Sequence, residues 1–317
     1  SMGGAFVGLA DDYSAVFWNP AGLTQMTETN LALFGTDIIP SASYQFSPYG
    51  INTEAKTEHH ISGGLGFFKP LSDRVVVGIY GYVPAGLGVT WEGSDLMVLW
   101  PMGPYEWSTL VGIITVSPAI AIKLSDQFSV GASLNLNYGL ARIDKPGLGQ
   151  FSMDLDGTAI GATFGMMFKP SDKFSIGVTY KTPLKATLSG DAGMAGAPLY
   201  TLPATDQAEL KITWPMWIGA GIAVKPTENL TITADAQYTN WEKMDTFPVA
   251  FSNPGWIAAF QPGAEILLYW EDKIQIRFGA EYKVSDKLAL RGGYYYDPGP
   301  GPKSTLNILL PELTYNW

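Results

Sequence analysis

Hydrophobic and polar residues alternate over several long stretches of this chain. Apolar residues occupy every second position from Leu230 to Tyr238, with threonine, aspartate and glutamine between them. The same alternation runs from Phe128 to Tyr138 and from Phe174 to Tyr180. A period of two residues is typical of a β-strand with one apolar and one polar face. The pattern therefore predicts an all-β fold.

A short polar turn recurs five times between these stretches. Each copy begins with lysine and continues into Ser-Asp or Thr-Glu, and the copies start at Lys69, Lys123, Lys169, Lys225 and Lys283. Serine, threonine and aspartate favour tight turns because their side chains bond to the nearby backbone. Each repeat of about 50 residues holds two strands, so we predict hairpins joined at the opposite end by long connections near 91–107, 191–206, 247–268 and 298–312.

Short turns at one end and long loops at the other are characteristic of a transmembrane antiparallel β-barrel. The predicted strands run to about 15 residues, whereas roughly 9–11 tilted residues cross a bilayer, so we expect them to project beyond the membrane on one side. A soluble β-sandwich or repeat protein is the alternative, although its strands are usually shorter. We predict eleven strands, near 29–46, 55–68, 74–91, 108–122, 127–144, 151–168, 173–190, 207–224, 229–246, 268–282 and 287–297, and a twelfth beginning at Leu313.

Composition narrows the functional classes. Charged residues make up only 15% of the chain, against roughly 25% in ordinary soluble domains, yet no run of 18 uncharged apolar residues predicts a transmembrane helix. The net charge of -10 argues against a nucleic-acid partner, which would need clustered basic residues. Cysteine is absent, which excludes thiol catalysis and cysteine-ligated metals. His59 and His60 are neighbours on a predicted strand and point to opposite faces, so we expect no metal site, no cofactor and no enzymatic activity.

Two parts of the chain carry a family resemblance. Residues 2–23 read MGGAFVGLADDYSAVFWNPAGL, and residues 277–300 contain RFGAEY, LRGGY and DPGP. Together with Tyr238-Thr239-Asn240-Trp241, these segments resemble the FadL/TodX outer-membrane transporters of hydrophobic compounds. The resemblance extends over essentially the whole chain. The resemblance implies a fourteen-stranded barrel plugged by an N-terminal hatch. It implies a hatch over 1–28 and a barrel over 29–317, and we expect the last strands of the barrel to lie beyond Trp317.

The resemblance also implies roles for individual residues. Asn19, Pro20, Ala21 and Gly22 match the hatch turn that shifts when a ligand passes. In the third strand, the Pro84, Gly86 and Gly88 region interrupts the alternation, because proline cannot donate to a ladder and interior glycines mark bulges. The interruption either ends the strand or opens the wall. The resemblance favours an inward kink, with these three residues bordering a lateral portal to the membrane.

Apolar residues also collect in two predicted loops. Such a patch is seldom exposed on a monomer, and methionine suits adaptable apolar recognition. The residues either pack against other loops or form a first docking groove for the ligand. The members of this predicted surface groove are Leu96, Met97, Leu99, Trp100, Met102, Trp256 and Phe260.

Strand parity predicts three cations inside the barrel. If Ile276 and Phe278 face lipid, then Arg277 faces the lumen, and the same reasoning places Lys181 and Arg291 there. These side chains either form salt-bridge networks or hold a ligand carboxylate, for which the arginine fork is well suited.

We therefore expect a monomeric protein of the bacterial outer membrane, surrounded by lipid and lipopolysaccharide. No basic and apolar leader precedes Met2, so we expect any signal peptide to be removed or to lie outside this chain. The expected function is passive uptake of hydrophobic small molecules, with long-chain fatty acids as the first candidate. Neutral aromatic hydrocarbons are an alternative ligand class, and a non-transporting scaffold for surface protein export or assembly is an alternative role.

Overall fold

The computed structural model describes residues 2–260, 265–305 and 308–309, and consists mainly of antiparallel β-strands. Within these ranges, no helix has the length and apolar character needed to cross a membrane. Two short α-helices are present, α1 (Ala15–Trp18) and α2 (Pro254–Phe260). The 3-10 helices are Pro20–Gln25, Ser47–Tyr49, Gly93–Leu96, Ala197–Tyr200, Trp241–Lys243 and Lys303–Thr305.

The strands follow one another along the chain as hairpins. They are β1 (Asn30–Ile38), β2 (Ser43–Phe46), β3 (Ile51–Glu54), β4 (His60–Ser72), β5 (Val75–Trp91), β6 (Trp107–Lys123), β7 (Phe128–Gly147), β8 (Gly149–Ser171), β9 (Phe174–Lys181), β10 (Leu184–Met194), β11 (Thr205–Trp214), β12 (Trp217–Thr227), β13 (Leu230–Thr239), β14 (Thr246–Phe247), β15 (Val249–Phe251), β16 (Ile266–Leu267), β17 (Lys273–Ser285) and β18 (Leu288–Tyr296).

One large antiparallel sheet forms the wall. Its main path runs β1-β4-β5-β6-β7-β8-β9-β12-β13-β17-β18, and within the described residues β1 and β18 are its edges. β10 continues β9 and pairs with β8 and β11, while β11 leads into β12. This meander confirms the predicted antiparallel β-barrel wall. The predicted twelfth strand at Leu313 lies outside the described residues.

Prolines explain three of the differences between the wall and the predicted segments. The predicted strands 173–190 and 207–224 are each interrupted, at Pro183 and at Pro215, because proline has no N–H to donate to the ladder. The predicted first strand ends at Ile38, just before Pro40. Residues 43–54 then form a separate hairpin, β2–β3.

The five polar turns have the geometry that their residue types predict. The Ser72 hydroxyl accepts a hydrogen bond from the Arg74 N–H at 3.3 Å. Ser171 and Ser285 make the same bond to the amides two residues further along, also at 3.3 Å. These bonds hold the hairpins β4–β5, β8–β9 and β17–β18 in tight turns. At the other end of the strands, the connections after β5, β10 and β13 are long, as predicted, whereas β7 and β8 are joined by Leu148 alone.

The outer face of the wall carries a belt of exposed apolar side chains. On β8, Ile160 is 67% exposed and Phe168 is 41% exposed, with Phe164 and Met166 between them on the same face. The alternating inward positions are Thr163, Gly165 and Met167, and all three are buried. A strand segment of about nine residues with an apolar outer face is what a lipid-facing wall requires.

Towards the long loops, the polarity of the two faces inverts. Further along β8, Asp156 and Asp154 point outward and are exposed, while Leu155 and Met153 point inward and are buried. Arg142 on β7 pairs with Asp154 on this outer face at 3.1 Å. The strands therefore extend beyond the apolar belt into a region with a polar exterior. Its apolar interior, the outer core, includes Val89, Trp91, Leu96, Ile143, Phe151, Leu155, Leu210, Phe251 and Trp256.

Candidate functional site

The N-terminal segment, residues 2–28, packs against the inner face of the wall. Val16 and Leu23 have no exposed surface and contact a cluster that includes Phe68 on β4 and Ala121 on β6. The predicted hatch residues Asn19, Pro20, Ala21 and Gly22 are all buried. The segment thus fills the interior at the level of the membrane belt.

Asn19 joins the segment both to itself and to the wall. Its Nδ2 donates to the carbonyl oxygens of Val7 and of Met166 on β8, each at 3.0 Å. Its Oδ1 accepts from the Ala21 N–H at 3.2 Å and so caps the 3-10 helix that begins at Pro20. One fully buried side chain therefore holds three backbone groups in place.

Glycines in the wall allow the segment to approach the strands closely. A Cβ on Gly165 would lie 2.1 Å from Asn19 Oδ1, and a Cβ on Gly177 would lie 2.0 Å from the Val7 carbonyl oxygen. Such distances leave no room for a larger residue. Six of the wall glycines that face the segment form three cross-strand pairs, Gly131–Gly165, Gly177–Gly221 and Gly279–Gly293.

Asp235 on β13 is a second attachment point. Its Oδ2 accepts hydrogen bonds from the Phe6 N–H at 2.5 Å and the Val7 N–H at 2.7 Å. The residue is 3% exposed, and its Oδ1 has no hydrogen-bond partner among the described residues. The alternation on β13 predicts that Asp235 points inward, but nothing in the sequence indicates that it binds two amides more than 200 positions away.

Two of the three predicted lumenal cations lie against the N-terminal segment. The Lys181 ammonium sits 4.3 Å from the centre of the Phe17 ring, and the Arg277 guanidinium 5.2 Å from the Trp18 ring. These are cation–π distances. No carboxylate in the described part of the chain pairs with Lys181.

The two arginines have different surroundings. Arg277 donates to Gln237 Oε1 at 2.9 Å and to Gln275 Oε1 at 2.6 Å. Arg291 forms a 2.5 Å ion pair with Glu281, and its side chain is half exposed. The structure thus brings Lys181 and Arg277 to the segment, whereas Arg291 lies near the β17–β18 turn.

The wall opens beside β5. β4 and β5 pair as far as Gly64–Tyr82, and residues 83–91 of β5 have no partner on β4 in the described ladder. The register of β5 on β6 shifts between Tyr82 and Ala85. Before this shift, the even-numbered residues Tyr80 and Tyr82 of β5 are buried. After it, the odd-numbered residues Val89 and Trp91 are buried instead.

A cavity of 920 Å³ occupies this opening, and we call it the lateral cavity. The predicted portal residues Pro84, Gly86 and Gly88 on β5 line it on one side. Much of the remaining lining comes from the end of β1 and the residues after it (38–42), from residues 55, 56 and 58–62, and from residues 110–114 on β6. Contacts between residues 55–56 and the end of β5 close it towards the loops, through the Ala55–Trp91 bridge and a 2.8 Å bond from the Lys56 N–H to the Thr90 carbonyl.

The predicted surface groove divides into buried and exposed parts. Leu96 and Trp256 have no exposed surface because they lie in the outer core, so they do not line a surface groove as the sequence predicts. Met97 is 41% exposed and Met102 is 66% exposed. Leu99 packs against the outer core. Trp100 and Phe260 line one cavity of 510 Å³ together with Lys145, Phe151, Met194 and Phe251.

Asp272 fixes the loop that follows β13. Its carboxylate accepts hydrogen bonds from the Tyr238 hydroxyl, from Asn240 Nδ2 at 2.8 Å and from the Glu242 N–H at 3.0 Å. Burial acts to raise the pKa of Asp272, but these hydrogen bonds outweigh it and hold the pKa below its ordinary value. The adjacent Trp241 and Trp270 rings contact each other edge to face at 5.3 Å.

Comparisons with known proteins agree with this architecture. Residues 1–317 match the family model described as outer membrane protein transport protein (OMPP1/FadL/TodX). A putative outer membrane protein of Neisseria meningitidis is 23% identical, over 92% of this chain and 72% of that protein. A long-chain fatty acid transport protein of Escherichia coli O6:H1 is 21% identical, over 100% of this chain and 79% of that protein. The crystal structure of the toluene transporter TbuX of Ralstonia pickettii has a TM-score of 0.78 at 19% identity, over 93% of this chain and 84% of that one.

Proposed function

Because the chain belongs to the OMPP1/FadL/TodX family of outer membrane transport proteins, we propose that it takes up hydrophobic small molecules passively by a lateral route. The family carries hydrophobic compounds across the outer membrane and does not consist of enzymes. In the proposed route, a ligand binds first among the outer loops, then in the lumen above the N-terminal hatch, and leaves sideways through the lateral cavity. The protein acts as a monomer in outer-membrane lipid and lipopolysaccharide.

The unpaired stretch of β5 carries this proposal. Residues 83–91 separate from β4 and leave a cavity of 920 Å³ between the strands. Pairing with β4 would close this stretch of the wall with backbone hydrogen bonds, and lipid cannot supply those bonds. A hydrophobic molecule can leave through the opening along apolar residues such as Leu87 and Ile113.

The test is to block the opening without disturbing the wall. A Cβ on Gly86 would meet only the Val111 carbonyl oxygen, at 3.8 Å, and Gly86 is exposed, so Gly86→Trp places a large ring at the opening without a backbone clash. Gly81→Trp is the matched control. It adds the same ring on the same strand, where Gly81 still pairs with Leu65 and a Cβ would also have 3.8 Å of room.

We expect Gly86→Trp to reduce the initial uptake of a labelled fatty acid at least tenfold in cells that lack their own transporter, while Gly81→Trp retains uptake. Equal uptake by the two variants, with both correctly inserted in the outer membrane, would rule out the lateral route. If the wild-type protein gives no uptake of any hydrophobic compound, the scaffold role takes its place.

Lys181 favours a fatty acid as the ligand. Its ammonium has no carboxylate partner among the described residues and lies on the Phe17 ring, so a ligand carboxylate would gain a charge-assisted hydrogen bond there. Burial of each methylene of the acyl chain adds about 0.8 kcal/mol of binding free energy.

Lys181→Met should reduce the amount of fatty acid that co-purifies with the protein, as measured by native mass spectrometry. Lys211→Met, on an exposed lysine paired with Glu209 at 3.0 Å, is the control. Retention of the same ligand by both variants would favour neutral hydrocarbons.

A further inference from the structure

A pair of titratable side chains borders the lateral cavity, and the proposed route gives them no role. Glu58 and His60 lie where the chain enters β4, opposite the unpaired part of β5. The His60 ring packs against Gly88, where an added Cβ would lie 2.4 Å from His60 Cε1. Its neighbour His59 is different: its side chain is 61% exposed and its Nδ1 contacts Asp37 Oδ2 at 2.6 Å.

His60 has an unsatisfied polar atom at this position. Its Nε2 is buried and has no hydrogen-bond partner in the described part of the chain. The Glu58 Oε2 atom is 3.9 Å away, which is beyond hydrogen-bonding distance. A buried polar group without a partner is costly, so a ligand atom that satisfies it gains affinity.

Glu58 is held in place from the other side of the opening. Its Oε1 accepts a 2.8 Å hydrogen bond from the Thr90 hydroxyl on β5. Its Oε2 therefore remains available towards His60. An oxygen atom placed about 2.8 Å from both His60 Nε2 and Glu58 Oε2 is geometrically compatible with their 3.9 Å separation.

We propose that the lateral cavity is a binding site for a hydrophobic ligand whose neutral head group both donates and accepts a hydrogen bond, a hydroxyl or a protonated carboxylic acid. The head-group oxygen accepts from His60 Nε2–H and its O–H donates to Glu58 Oε2, while the apolar body lies along Ala85, Leu87 and Ile113. A carboxylate is excluded because it has no proton to donate and would face the Glu58 charge. A plain hydrocarbon leaves both polar atoms unpaired.

This inference rests on the proposed lateral route and adds a head-group preference to it. The lumenal Lys181 suits an anionic head group, whereas the lateral cavity suits a neutral one.

The experiment measures binding of 1-naphthol and naphthalene, which differ by one hydroxyl, to purified protein in lipid nanodiscs, with empty nanodiscs subtracted. His60→Phe keeps a ring over Gly88 but removes both nitrogens. His60→Gln restores a donor and tests whether hydrogen bonding rather than ring packing matters. Lys211→Met, at an exposed lysine outside the cavity lining, is the control.

We expect wild-type protein and Lys211→Met to bind 1-naphthol about tenfold more tightly than naphthalene, which corresponds to one or two net hydrogen bonds. His60→Phe should bind both compounds equally, and His60→Gln should recover part of the preference. The same preference in His60→Phe as in wild type, or no preference in wild type, would overturn the proposal.

Uptake assays on the same variants separate the two hypotheses. If Gly86→Trp blocks uptake while His60→Phe keeps the preference for 1-naphthol, the lateral route stands and the head-group site is refuted. If wild-type protein shows the His60-dependent preference but no uptake, the site stands and the transport function is refuted.

Discussion

Replacing Asn19 with alanine tests whether one side chain holds the N-terminal segment in the barrel. The substitution removes two hydrogen bonds to carbonyl oxygens, those of Val7 and Met166, and one from the Ala21 N–H. Two of these bonds lie within the segment and the bond to Met166 reaches the wall, so all three are lost only when the segment both leaves the wall and unfolds. At about 1 kcal/mol for each net hydrogen bond, the docked and folded segment should lose about 3 kcal/mol relative to this open state.

Because the loss concerns the segment rather than the wall, the barrel should stay folded while the segment opens more often. A cost of about 3 kcal/mol corresponds to roughly a 150-fold rise in the open population. Hydrogen exchange measured by mass spectrometry should show this as a matching loss of protection in peptides covering residues 2–28, with strand peptides unchanged.

Asn137→Ala is the matched control. Asn137 also points inward, but it bonds to the wall, through Thr115 Oγ1 at 2.7 Å and the Ala159 carbonyl at 3.3 Å. It should leave the exchange of residues 2–28 close to wild type. Unchanged protection of this segment in Asn19→Ala would show that Asn19 does not hold it and that the apolar contacts of Val16 and Leu23 suffice.

Three further predictions address other contacts. Gly177→Ala places a Cβ 2.0 Å from the Val7 carbonyl oxygen and should loosen the N-terminal segment, so a cysteine placed at the buried position Ala5 should react faster with a maleimide. Gly81→Ala is the control and should leave that rate unchanged. Equal rates in the two variants would contradict the close fit at Gly177. The pKa of Asp272 is lowered in the folded protein, so its contribution to stability is present above the ordinary value of 3.8 and is lost as the pH falls through the folded pKa. Tryptophan emission from Trp241 and Trp270 should therefore change below pH 3.8 in wild type and show no such step in Asp272→Asn. Arg291→Ala removes the half-exposed arginine of an ion pair whose Glu281 side chain is only 16% exposed. If water reaches the pair through Arg291, the free energy of unfolding should fall by less than about 1 kcal/mol; a larger loss in denaturant titration would mean that the pair is effectively buried.

The sequence predicts the wall well because its rules are local. Strand parity depends only on a period of two residues, and it correctly places Arg277 and Lys181 inward and Ile276 and Phe278 outward. The polar turns are equally local, since each serine bonds to an amide two residues away.

The remaining features depend on contacts between distant residues. Asp235 bonds to Phe6 and Val7 across 229 and 228 positions, and no periodicity reports such a pairing. The burial of Leu96 and Trp256 has the same origin, because it depends on how separate loops pack over the end of the barrel. Their large apolar side chains are equally compatible with an exposed groove and a buried core.

The inversion of wall polarity has a consequence for how a hydrophobic solute partitions within the protein. Tyr82, Thr115, Asn137 and Ala159 form one row of paired residues across β5, β6, β7 and β8. Above this row the inner surface is largely apolar, and below it the inner surface carries polar groups such as Ser133, Asn135 and Thr163 beside the apolar cluster that packs on residues 2–28. A hydrophobic solute on the proposed route would therefore meet polar groups and the packed N-terminal segment if it descended further along the axis. Sideways exit would instead take place at this height, where β5 parts from β4.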